Sequence, residues 1–177
     1  MEKINPAKII KDHIRTLKSY NSDRYSSWDS IIFLIFPIGL AGVLAYYFPK
    51  SEKNPDEIFD KTTVDILVTS LSIFAGLLFN LLIMIYGIVK KVPKGEPYAE
   101  LKATFLKEIY TNISYSIFIS MLAVVILIIS LLGSSYRIIQ IAIACSVYFL
   151  ITNFILTLLM ILRRVHILLS QEFAKNN

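Results

Sequence analysis

Between Val64 and Val89 the chain is almost wholly apolar, with one acid, Asp65, at its start. Small or polar residues return along it at Thr69, Ser72, Gly76 and Asn80, spaced so that they share one side of a helix. A stretch of this length, at about 1.5 Å per residue, crosses the roughly 30 Å of hydrocarbon in a bilayer. The stripe marks the side that meets protein rather than lipid, because small residues admit a close neighbour and an amide in hydrocarbon needs a partner. On that reading Gly76→Leu drives helices apart and Leu78→Ala, on a neighbouring face, does less.

Three more runs carry the same signal, and together they predict an all-α polytopic bundle of four spans at about 30–48, 64–89, 113–132 and 138–162. The first follows Trp28 and closes on the aromatic belt Tyr46, Tyr47 and Phe48 before Pro49. Pro37, with Gly39 and Gly42 nearby, predicts a kink or a close helix contact there, either a gating hinge or a proline that is simply accommodated. The third run carries Asn112, Ser116, Ser120 and Ala123 at helical spacing. The fourth carries Ala142, Ser146, Phe149, Asn153, Thr157 and Met160 and stops at Arg163-Arg164.

The connections are polar. An arm at 1–29 opens a helix at Asn5-Pro6, whose Ile10, Ile14 and Leu17, with Ile9 and His13 beside them, stand against Lys8, Lys11, Arg15 and Lys18. That pattern fits an amphipathic helix in the lipid interface or one packed on the protein's own cytoplasmic loop. Asn54-Pro55 starts a short helix in the second connection, and the loop at 90–112 breaks at Pro93 to Glu96. From Pro97 an amphipathic segment runs into the third span without interruption. A turn at Gly133-Ser134-Ser135 and a tail at 163–177 complete the chain.

Composition agrees: of 177 residues 55% are hydrophobic and 18% charged, and a mean hydropathy of +0.62 is too apolar for a water-soluble domain. No apolar h-region of a cleavable signal precedes the first span. Most of the 18 basic residues lie in the arm, the central loop and the tail, which places both termini on the cytoplasmic side of the cell's inner or plasma membrane. The net charge of +5 then reflects retention beside anionic lipid, and no nucleic-acid partner is expected. Cys145, the one cysteine, behaves as a small hydrophobe.

Catalytic chemistry is not indicated. There is no phosphate-cradling glycine loop, no HExxH, no nucleophile elbow and no intramembrane pair of acids, so the chain is not expected to be an enzyme or to hold a cofactor. His13 and His166 are too isolated to suggest a metal site. The candidate residues are instead those of a helix interface or a polar pore lining: Asp65, Ser72, Gly76, Asn80, Asn153 and Thr157, with Pro37 as candidate hinge. Asn80 and Asn153 fall at similar depth and either hydrogen-bond within one subunit or line an oligomer interface or narrow polar path. Asp65 is an acid at the headgroups or one member of a cation-attracting ring.

In layout, with four spans, both ends inside and little soluble mass, the chain resembles the small membrane effectors of bacterial anti-phage defence operons, such as those of cyclic-oligonucleotide signalling systems. The resemblance implies pore formation or membrane disruption that halts an infected cell, triggered through a partner or through the cytoplasmic segments. The expected function is thus an oligomeric, membrane-perturbing or pore-forming effector. The alternative is a non-conducting anchor for a cytosolic protein partner encoded nearby.

Overall fold

The computed structural model describes residues 6–16, 35–47, 59–90, 97–132 and 136–175, and the regular structure among them is entirely helical. Five helices follow one another: α1 (Pro6–Thr16), α2 (Phe36–Tyr47), α3 (Lys61–Lys90), α4 (Pro97–Ser130) and α5 (Arg137–Lys175). Three of them, α3, α4 and α5, are long and apolar enough to cross a membrane. The described α2 has 12 residues, about 18 Å of helix and shorter than the hydrocarbon layer. Trp28, the opening of the expected first span, the Asn54-Pro55 start, the break at 93–96 and the turn at 133–135 lie outside the described residues.

α4 is central. It packs against α3 on one side, α5 on another and α1 near its middle, while α2 packs against α5. The α3 seam is a strict heptad, Val64, Leu71, Leu78 and Ile85, all buried, with Leu67, Val68, Leu81 and Leu82 half-buried beside it. Residues seven apart stay on one stripe of a helix, so this row meets α4 along the full length of α3. Leu106, Ile113 and Leu127 of α4, each at most 1% exposed, belong to the same core cluster as this row. Phe74 of α3 reaches over to Phe154 of α5, edge to face with centroids 6.0 Å apart. On the far side of α5, Ala41 of α2 is buried, and Cys145 Sγ lies 3.9 Å from the Ala41 carbonyl oxygen.

This packing reverses one expectation. Leu78 belongs to the buried seam, whereas Gly76 is exposed and a Cβ added to it would meet nothing within 4 Å. The periodicity that marks a buried face in a water-soluble helix is erased here because the outward positions, among them Ile73, Leu77, Phe79 and Ile83, are equally apolar.

A second difference lies in α5, which does not stop at Arg163-Arg164 but continues to Lys175. Arginine is a good helix former, so the pair ends the apolar stretch without ending the hydrogen-bond ladder. The uninterrupted run from Pro97 into the third apolar stretch is present as α4, 34 residues long.

Candidate functional site

The candidate interface residues divide into two groups. Asp65, Ser72, Gly76 and Asn80 lie on the exposed surface of α3, away from the seam. Asn153 and Thr157 are buried on α5. The two amides are not brought together: the Asn153 Nδ2 donates to the Phe149 carbonyl oxygen at 3.3 Å, one turn back on its own helix, and no hydrogen bond joins it to Asn80. Pro37 is buried near the start of the described α2, which runs on through Gly39 and Gly42.

The polar stripes of α4 and α5 face one another. Glu108 Oε2 lies 3.1 Å from Arg164 Nη1, which sets the register of two antiparallel helices. One and two turns further along, that register puts Asn112 level with Ile161 and Ser116 level with Thr157. Another turn brings Ser120 level with Asn153, and all six residues are buried. Ser120 donates to the Ile117 carbonyl at 2.8 Å and Thr157 to the Asn153 carbonyl at 2.8 Å, so these hydroxyls are satisfied within their own helices. Ser120 and Thr157 thus close their part of the seam with small, self-satisfied side chains, and Ser116 does not.

Its N-terminal α4 end is different. Here α1 docks, and it does so by its polar side: His13 and Thr16 are buried while Ile10 and Ile14 are exposed. The His13 ring stacks on Tyr115, centroids 3.8 Å apart and 8° from parallel. Its Nδ1 lies 2.9 Å from Asn112 Oδ1, within hydrogen-bond distance. The Thr16 hydroxyl stands 2.7 Å from both the His13 carbonyl oxygen and Asn112 Oδ1, and its single proton can serve one of them at a time. Arg164 Nη2 donates to the Thr16 carbonyl, the negative end of α1, so one guanidinium ties α1, α4 and α5 together.

The electrostatics follow from burial. Burial pushes the His13 imidazole down to about 4, the Arg164 guanidinium acts in the same direction, and the hydrogen bond to Asn112 opposes both. The ring is thus held neutral. Three polar atoms in this corner, Asn112 Nδ2, Ser116 Oγ and Arg164 Nη1, are buried without a hydrogen-bond partner, the last of them standing in the ion pair with Glu108.

Half of this junction is visible in the sequence, since Asn112 and Ser116 head the polar stripe of the third apolar run. The other half is not, because His13 and Asn112 are 99 residues apart. A usable signal was the His13 and Thr16 pair, two polar residues one turn apart on the side of α1 free of lysine and arginine. Among the described residues no group of His, Cys, Asp and Glu is placed to hold a metal ion. Comparison with family models finds no match to this chain, and comparisons with curated proteins and with solved structures find none of significance.

Proposed function

We propose that the chain is a four-span protein of the cell's inner or plasma membrane, with both termini cytoplasmic, that self-associates and acts as a membrane-perturbing or pore-forming effector. One observation carries this reading: Ser72, Gly76 and Asn80 face outward on α3, amid Ile73, Leu77, Phe79 and Ile83. An amide left in hydrocarbon is costly, and an interhelical hydrogen bond from a second copy recovers about 0.6 to 2 kcal/mol. Repeated around an axis, the same face lines a polar path. On this reading α2 is the C-terminal part of the first span, and α1 is an amphipathic helix whose exposed Ile10, Ile14, Lys11 and Arg15 lie in the lipid interface. The cellular role that fits, by resemblance of layout, is arrest of a phage-infected bacterial cell through a partner-triggered loss of membrane potential.

A second reading, a non-conducting anchor for a cytosolic protein, is favoured by a different observation. The polar stripes of α4 and α5 are consumed inside the chain, and α5 extends beyond Arg164 as a helix available to a partner.

Membrane-potential dye uptake, followed beside growth, separates the two. Over-expression is expected to depolarise the membrane, with Asn80→Leu milder than the parent at equal membrane abundance, because removing the amide favours a dry, closed interface. An unchanged potential at full expression removes the pore and leaves the anchor. Topology is tested by reporter fusions: those at Lys94 and Ser170 are expected on the cytoplasmic side and one at Asn54 outside, and a cytoplasmic signal at Asn54 overturns the four-span arrangement.

A further inference from the structure

We infer that the outward face of the seated α1 is a binding surface for anionic phospholipid, whose headgroups it gathers at the edge of the bilayer. The way the helix is seated carries this. His13 and Thr16 turn to the bundle, where the His13 ring stacks on Tyr115 and lies 2.9 Å from Asn112 Oδ1, while Arg164 donates to the Thr16 carbonyl. The opposite side of the helix is thereby left outward, and at about 3.6 residues per turn it falls into two adjoining sectors. Ala7, Ile10 and Ile14 form one and Lys8, Lys11 and Arg15 the other, all of them exposed.

Depth decides what covers that face. Helix α1 meets α4 at Asn112 and Tyr115 and α5 at Arg164, the level at which both long helices change from apolar to charged. On α4, Lys107 and Glu108 lie about one turn before Asn112, and the apolar stretch follows it; on α5, Arg163 and Arg164 come directly after Ile161 and Leu162. Tyr110 is exposed between them on α4, as aromatic side chains at the headgroups are. An apolar sector beside a basic one, at this depth, matches a bilayer: the isoleucines reach the acyl boundary while the stems of Lys11 and Arg15 carry their charges out to the phosphates.

The charges select an anionic over a zwitterionic headgroup. Exposed Lys107 and Arg163 add to the basic sector of α1 at this level, while Glu108 is engaged by Arg164, and Asp12 approaches Arg15 at 3.9 Å. Each basic side chain near an anionic surface raises affinity by a factor of about 5. With Asp12 set against Arg15, Lys11 alone supplies a preference of about 5-fold, and salt screens it because the side chain is exposed. Binding of this kind rests on the interfacial placement of α1 proposed above. It is independent of pore formation and of association between copies.

Spin-labelled lipids provide the test. Full-length protein is placed in phosphatidylcholine vesicles holding a trace of spin-labelled phosphatidylglycerol or of spin-labelled phosphatidylcholine, and the motionally restricted fraction reads the association of each lipid. At low salt phosphatidylglycerol is expected to associate about 5-fold more strongly, and the preference to shrink as salt is added. The double variant Lys11→Gln with Arg15→Gln, changed only at exposed side chains, is expected to keep the parent's unfolding midpoint and to lose most of the preference. Equal association of the two lipids overturns the inference, and so does a preference that the double variant retains in full, which would place it elsewhere on the surface. A nitroxide on Ile14→Cys, in a Cys145→Ala background, keeps this failure distinct from failure of the interfacial placement. Relaxation of that label by oxygen puts α1 in lipid, so that equal association then strikes the headgroup preference alone. Relaxation by a water-soluble nickel chelate instead removes the interfacial placement and the lipid binding with it.

Discussion

Leu78→Ala is expected to lower the stability of the folded chain by about 2 to 4 kcal/mol, while Gly76→Leu, two positions away, leaves it unchanged and abolishes association between copies. Leu78 is 6% exposed in the middle of the heptad seam against α4. Truncating it opens a cavity that rigid neighbouring helices close only in part, and buried Leu to Ala changes cost about 2 to 5 kcal/mol. In a bilayer the transfer contribution shrinks, because lipid tails are as apolar as leucine, and the lost packing remains. Gly76 has open space where its side chain would be, so a leucine is accepted by the monomer and obstructs only a second helix approaching along Ser72 and Asn80. Reversible unfolding in mixed detergent reads the first effect and crosslinking in membranes the second. If Gly76→Leu unfolds early, or crosslinks as the parent does, the outward face is not an interface.

Arg164→Ala is expected to cost about 2 to 3 kcal/mol and to loosen α1. The guanidinium is shared between the Glu108 carboxylate at 3.1 Å and the carbonyl of Thr16, and the side chains of the ion pair are only 13% and 25% exposed. Removing one member of a largely buried pair leaves the other charged and unpaired, which costs 3 to 5 kcal/mol when burial is complete and less with this residual exposure. The loss has two readouts: a lower unfolding midpoint for the whole chain, and faster amide hydrogen exchange in α1 than in the parent. Arg164→Lys should recover the midpoint in part and leave α1 loose, because an ammonium is a point charge without the planar fork that serves two acceptors. A parent-like α1 in Arg164→Ala would show that the tie to Thr16 contributes nothing.

The two variants illustrate how unevenly the sequence speaks. The three long apolar runs and the helix-starting Pro6 and Pro97 were legible, because each depends on local chemistry: hydropathy summed over a span, and a backbone N–H that the first turn does not use. The stripe on α3 was legible as a stripe. Its direction was not, since Leu78 and its exposed neighbour Leu77 are the same residue type and only burial in the core tells them apart.

The α1 junction shows the same division. Sequence alone determined that the chain is built of apolar helices with basic connections, and that Asn112, Ser116, Asn153 and Thr157 share helical faces, since both follow from composition and from 3.6 residues per turn. Only the tertiary structure decided that α1 turns His13 and Thr16, rather than Ile10 and Ile14, to the bundle. It also decided that Arg164 joins three helices and that the polar face of α3 is left outward while those of α4 and α5 are closed. The physical reason is that in a chain whose exterior is as apolar as its core, burial no longer sorts residues by type. Pairing of the few polar groups does, over separations such as the 99 residues between His13 and Asn112.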